Sequence, residues 1–176
     1  MAELVNRFYE PLYRFAYSLA GAQHHAEDLT QETFYLWAEK GFQLRDASKV
    51  KSWLFTTLYR EFLGSRRRET RHPLQPPDET TEDLPAPAAA DAARALDAAS
   101  VMSALLRIEE TYRTPLTLFY LQELSYREIA ELIDAPIGTV MSRLSRGKEQ
   151  LRRLVLDEAN DAGDKIIPMP PRAVSA

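Results

Sequence analysis

Between positions 139 and 153 the chain places Thr139, Ser142, Arg143, Arg146 and Arg153 at intervals that gather side chains on one side of an α-helix. Val140, Leu144, Gly147, Leu151 and Leu154 recur at four- and three-residue steps and form the opposite, packed stripe. An Arg guanidinium donates in a fork, and a Ser or Thr hydroxyl donates or accepts, which is what phosphates and base edges require. From Arg143 to Arg153 five basic residues stand against one acid, a local balance of +4 in a chain of net charge -4. A solvated face with arginines near a helix end is the plainer alternative. The preceding residues favour nucleic acid. Ser125 and Glu128 form a capping box that opens a short helix, Tyr126 to Ile133, and a tight turn at Asp134 to Pro136 follows. Pro136 suits the first turn of a last helix, Ile137 to Leu156, where its missing N–H costs nothing. Ile129, Ala130 and Ile133 would face Val140 and Leu144, the ingredients of a helix-turn-helix.

Two further groups lie near the amino terminus. Asp28, Gln31, Glu32 and Tyr35 fall at offsets of three, four and seven, a polar stripe opposite Ala26, Leu29, Thr33, Leu36 and Trp37. Most such stripes are solvated surface. Further on, Trp53, Phe55, Tyr59 and Phe62 fall on more than one side of a helix and run into Arg66, Arg67 and Arg68. Aromatics beside arginines stack unpaired bases while the cations hold the backbone. Trp53 and Phe62 are also good core residues, which leaves Phe55 and Tyr59 as the stacking candidates. No nucleophile–base constellation competes with these groups. A metal-dependent nuclease is disfavoured because Asp28, Glu32 and Glu39 lack a second carboxylate or histidine cluster. The three histidines, His24, His25 and His72, lie outside ligand spacings and read as surface residues, so no metal and no cofactor is expected.

The elements that must hold these groups are all helical. Leu4, Phe8, Leu12, Phe15 and Leu19 mark a first helix that Gly21 ends, a second runs from about Ala26 to Lys40, and a third starts near Ser48. Four more are expected, at Leu96 to Arg107, Glu109 to Gln122, Tyr126 to Ile133 and Ile137 to Leu156. No segment alternates long enough to be a strand. Between the two sets, His72 to Ala93 carries five prolines, several acids and no Phe, Tyr or Trp, the composition of a flexible, extended linker. The expected organisation is all-α, with two small helical domains at 1–72 and 96–156, an acidic Pro/Ala-rich linker at 73–95 and a disordered tail at 157–176. Each domain is near the size at which one core is marginal, so each should gain from a partner.

Charge follows the same partition. Residues 1–72 carry 11 basic and 9 acidic groups and 98–156 carry 8 and 7, whereas 73–97 carry one Arg against six acids. The acidity therefore lies outside both domains, and the net charge does not argue against a DNA partner. With no cysteine, disulfides and thiolate metal sites are excluded. No apolar run reaches the roughly 20 residues that span a bilayer, and MAELVNRFYEPLYRF lacks a signal-peptide stretch, so a cytoplasmic protein is expected.

The phrase AEDLTQETFYLW, Ala26 to Trp37, resembles the polymerase-binding helix of extracytoplasmic-function sigma factors, in the sigma-70 superfamily of bacterial RNA polymerase initiation factors. Trp53, Leu54 and the arginine-rich end resemble the rest of that family's region 2, and LSYREIAELIDAPIGTVMSRLSRGKEQLRR resembles its region 4. The resemblance covers Leu4 to Arg71 and Leu96 to Leu156. It implies a non-enzymatic factor that directs core polymerase to promoters and helps melt the -10 element. Asp28, Gln31, Glu32 and Tyr35 would bind the clamp of the largest subunit. The loop Phe42 to Ser48 with Phe55, Tyr59, Arg60, Arg66, Arg67 and Arg68 would engage the -10 element, with a base flipped from the non-template strand. Arg127, Gly138, Thr139, Ser142, Arg143, Arg146 and Lys148 would read the -35 element, and region 4 would dock on the flap of the second-largest subunit. An anti-sigma factor is a further partner that family members often have. Two promoter elements about two helical turns apart lie roughly 70 Å from one another, within reach of an extended linker. Tyr59, Arg60, Glu61 and Phe62 stand where many members carry Asn and Asp, so the -10 preference does not carry over from relatives. Met141 stands where a basic residue is common and Gly147 where Ala is usual. The competing reading is a helix-turn-helix regulator that acts on duplex DNA without polymerase.

Overall fold

A computed structural model describes residues 2–71 and 101–163. The expected linker lies wholly outside the described residues, as do positions 96–100 of the helix expected from Leu96 and the tail from 164 onward. The first unit is three helices: α1 (Ala2–Ala20), α2 (Gln23–Lys40) and α3 (Val50–Arg71). Gly21 ends α1 at φ +72°, the left-handed conformation that glycine adopts without a Cβ penalty, and its N–H closes on Tyr17 O at 2.8 Å. Two 3₁₀ turns, Gly41–Gln43 and Ala47–Lys49, connect α2 to α3. Asp46 orders the second turn, accepting from the Ser48 N–H at 2.9 Å and the Ser48 hydroxyl at 2.7 Å. These bonds hold the Asp46 carboxyl below its ordinary pKa.

The apolar face of α2 contains Thr30 and Thr33, both fully buried. Each hydroxyl satisfies itself by donating 2.7 Å back to a carbonyl one turn earlier, Ala26 O and Leu29 O. The centre of this unit is Leu12, Phe15, Ala26, Leu54, Phe55 and Leu58, with the Phe15 and Phe55 rings tilted at 5.5 Å.

The second unit contains α4 (described over 101–106), α5 (Glu110–Leu116), α6 (Tyr126–Leu132) and α7 (Ile137–Gly163). Pro115 lies inside α5, and a π-helical turn, Thr117–Leu121, continues it. Proline cannot supply the helical N–H, and the ladder widens here to Gln122 N donating to Thr117 O at 3.2 Å. The capping box opens α6 as expected: Ser125 N donates to Glu128 Oε2 at 2.8 Å and Glu128 N donates to Ser125 Oγ at 3.3 Å. The turn to α7 is made by Asp134 at φ +52°. Pro136 sits one residue before α7, its carbonyl accepting from Thr139 N and Val140 N at 2.9 and 3.1 Å.

One boundary is corrected. The last helix was expected to end at Leu156 with a disordered tail from 157, yet α7 continues to Gly163. Asp157, Glu158, Ala159 and Asn160 interrupt the apolar periodicity but contain no Pro or Gly, so nothing local stops the backbone ladder.

The two units are in contact. α1 packs against α5 and the π turn, α3 packs against α6, and the buried apolar side chains of both units form one continuous cluster.

Candidate polymerase and DNA interfaces

On α2 the four stripe residues, Asp28, Gln31, Glu32 and Tyr35, are all exposed. They line one wall of a groove of about 1030 Å³, with Leu19, Leu29 and Phe62 also lining it and Arg66, Arg68 and Glu110 contributing charge. Tyr35 donates to Glu39 at 3.1 Å, and this bond to an anion raises the phenol above its ordinary pKa. His24 lies 3.3 Å from Asp28, one turn along the same surface. The two histidines within the described residues are exposed, as expected, and no cluster of three or more potential metal ligands occurs among the described residues.

The α3 set divides. Arg60, Arg67 and Arg68 are exposed, whereas Phe55 is 0% exposed and packed on Phe15. Phe55 is therefore withdrawn from the base-stacking candidates. It lies on the same face as Leu58 and Phe62, and only the packing of α1 over that face reveals it as core. Trp53, expected to be core, is only half-buried, meeting Trp37 edge to face at 5.2 Å. Trp53 still packs against the apolar core, from its edge, so only the Phe55 half of that reading is overturned. Tyr59 is half-buried, and burial is the main reason its phenol is raised; Glu110 raises it further, while Arg143 and Arg66 oppose. Arg66 bonds Glu110 and lies 5.7 Å from the Phe62 ring centroid.

Beside these residues a cleft of about 470 Å³ opens between the end of α2, the 3₁₀ loop and α3. Its lining includes Lys40, Gln43, Trp53, Thr57 and Arg60, and Phe42 stands nearby in sequence at 81% exposure. Gln43 belongs to the loop Phe42 to Ser48 expected to engage the -10 element, and Trp53 and Thr57 to the helix that follows it; Lys40 was not singled out. An apolar ring left exposed in a short polar loop was the available signal.

On α7 the packed stripe is as expected: Val140, Leu144 and Gly147 are buried, with Leu151 and Leu154 half-buried. A Cβ on Gly147 would lie 2.8 Å from Leu116 Cδ1 and 3.2 Å from Tyr112 Cβ, so glycine lets α5 and α7 approach closely. Arg127, Gly138, Ser142, Arg146 and Lys148 are exposed, and Thr139 and Arg143 are half-buried. Ile137 and Met141, one turn apart, add exposed apolar side chains at the start of the same helix.

A capped helix-turn-helix with a basic outward face, joined to a bundle bearing an acidic stripe and a basic–aromatic helix, defines a two-unit transcription factor. The family model "Sigma-70 region 2" matches residues 4–72, and "Sigma-70, region 4" matches residues 98–151. The ECF RNA polymerase sigma factor SigW of Bacillus subtilis is 30% identical over 167 residues, covering 89% of this chain and 89% of that protein. SigM of the same organism is 30% identical over 160 residues, covering 90% of this chain and 97% of SigM. SigE of Mycolicibacterium smegmatis is 34% identical over 153 residues, but the chain spans only 59% of SigE. Among solved structures, the sigma factor RpoE from Bartonella quintana, determined with the anti-sigma factor NepR, is similar at a TM-score of 0.71 and 28% identity. That match covers 88% of this chain and 98% of RpoE. CnrH, solved with the cytosolic domain of CnrY, shares the fold at a TM-score of 0.59 and 22% identity.

The chain belongs to the extracytoplasmic-function RNA polymerase sigma factors, transcription initiation factors that bind core polymerase and promoter DNA. The reading as a regulator that works without polymerase is set aside.

Proposed function

We propose that residues 1–72 bind the polymerase clamp and the -10 element, that 96–156 read the -35 element, and that the protein does so in the cytoplasm without covalent catalysis. The observation that carries this is the separation of charge on neighbouring helices: an exposed acidic stripe on α2, and exposed arginines on α3 and α7. Asp28, Gln31, Glu32 and Tyr35 meet the clamp as a polar surface. The cleft between α2 and α3 takes a base unstacked from the non-template strand, with Trp53 offering a ring face and Arg60 and Lys40 neutralising phosphates. Tyr59 and Arg66 to Arg68 continue the path of the strand. Arg127 and Lys148 hold the duplex backbone while Gly138, Thr139, Ser142, Arg143 and Arg146 meet the groove. Region 4 also docks on the polymerase flap. By analogy with RpoE and NepR, an anti-sigma factor binds this chain and competes for the groove above the α2 stripe.

The test is a charge reversal, Asp28→Arg with Glu32→Arg. It should abolish capture of core polymerase while leaving the free chain's affinity for duplex DNA unchanged. Retained polymerase affinity would show the stripe to be ordinary surface. Transcripts initiated by core polymerase plus the unaltered chain, once sequenced, supply both promoter elements.

A further inference from the structure

The first turns of α7 carry two apolar side chains that the packed stripe does not use. Ile137 is 46% exposed and Met141, one turn later, is 53% exposed. At 1.5 Å of rise per residue they stand about 6 Å apart along the helix axis. Gly138, Ser142 and Ser145 are exposed beside them, and Arg146 and Lys148 are exposed on the following turns, so a surface that covers this apolar pair meets cations and hydroxyls as well.

Gly138 is a second, independent observation. Its φ is not positive, and a Cβ added there would meet nothing within 4 Å. Neither backbone conformation nor internal packing calls for glycine at this position, although glycine weakens a helix relative to alanine. Gly147 on the same helix is different, since Leu116 and Tyr112 leave no room for a side chain. A glycine without an internal reason lets an outside surface reach the backbone.

An apolar side chain offers a base edge van der Waals contact and the exclusion of water. In the major groove the apolar group on a base edge is the C5-methyl of thymine. Methionine, unbranched and polarizable, adapts to such a group, and it has no donor with which to favour guanine O6 or N7. We propose that Met141, with Ile137 beside it, is a specificity-determining residue that selects thymine through its 5-methyl group, and that Gly138 brings the helix close enough for this contact. Ser142 and Arg146 meet the neighbouring base edges and phosphates by hydrogen bonding. The proposal rests on the assignment of α7 to the -35 element made above.

The test uses the full chain bound to core polymerase, which selects duplexes from a pool randomised over the -35 region. The selected duplex is then remade with each thymine in turn replaced by uracil, which removes the methyl group and nothing else. At one or two positions uracil should weaken binding about fourfold, the effect of leaving one methyl-sized group exposed. Met141→Ala should weaken binding to the thymine duplex by a similar factor and should bind thymine and uracil duplexes equally, whereas Met141→Leu should keep the discrimination. Gly138→Leu, whose side chain has open space within the chain itself, should weaken binding and erase the discrimination. Uracil without effect at every position, or discrimination that survives in Met141→Ala, would overturn the methyl contact. If Arg146→Ala still weakens binding to the same duplex in that case, α7 remains the -35 helix. A polymerase-bound chain that enriches no sequence from the pool would overturn the assignment of α7 together with the proposal, and unchanged affinity in Gly138→Leu would overturn the close approach.

Discussion

Arg143 and Arg146 stand three residues apart on α7 but in different surroundings. Arg146 is exposed, whereas Arg143 is half-buried and close enough to lower the pKa of Tyr59 on the other unit. Arg146→Ala should weaken -35 duplex binding by about 1–3 kcal/mol if its fork reads guanine. Arg143→Ala should do the same for the polymerase-bound protein, and its effect on the free chain, where Arg143 is half-buried, should be smaller. Fluorescence anisotropy with and without core polymerase separates the two. Equal losses in both conditions would place Arg143 in the groove from the outset. Tyr59 makes a second prediction. Its phenol is raised chiefly by burial, so the folded state favours the protonated ring. That contribution is complete below the ordinary value of 10.0 and is lost as pH rises through the raised value. Above pH 10 the unaltered chain should lose stability relative to Tyr59→Phe in urea titrations. Parallel alkaline curves would show Tyr59 solvated.

Among the elements, α6 is the one whose boundary depends on two side chains. Ser125→Ala removes the acceptor of the Glu128 N–H and should cost about 1 kcal/mol of stability. The Glu128 carboxylate is held below its ordinary pKa, first by the Ser125 hydroxyl and then by the Ser125 N–H. The stabilisation is thus present above the ordinary value of 4.5 and disappears as pH falls through the lowered one. Denaturant midpoints of the variant and the unaltered chain should converge at acid pH, and a constant difference would assign the effect elsewhere. The α5–α7 crossing depends on a missing side chain. Gly147→Val gains some helix propensity but forces branched atoms against Leu116 and Tyr112, for a net loss of about 2 kcal/mol in urea unfolding. Equal stability would show that α5 can shift aside. The capping box, the α7 stripe and the helix-turn-helix were all legible in the sequence, because residues within one or two turns settle them. Phe55 was not, because both sides of α3 carry aromatics and only the packing of α1 decides which side is core.

For the whole molecule the feature with most consequence is the shared core. Two helical units of marginal size bury one continuous apolar cluster, with α1 and α3 facing the second unit as well as solvent. Breaking the Arg66–Glu110 ion pair alone should have little effect on stability, since exposed pairs contribute about 0–1 kcal/mol. Losing the bonds of Gln122 to Pro11 of α1 and Lys51 of α3 should have more, since its donor and acceptor are enclosed. The sum of charges, -4 over the chain, describes none of this, because the acidic segment and the basic helices are separate places.

The amino-acid sequence by itself determined the helices, the capping box, the stripe on α2, the basic face of α7 and the family, since periodicity, caps and motif spacing act over a few residues. Tertiary structure alone decided that Phe55 is core, that Gly147 is a contact point and that Gln122 bonds two helices of the other unit. Those facts depend on partners about 30 to 110 positions away, and no local pattern encodes which distant carbonyl a buried amide will find.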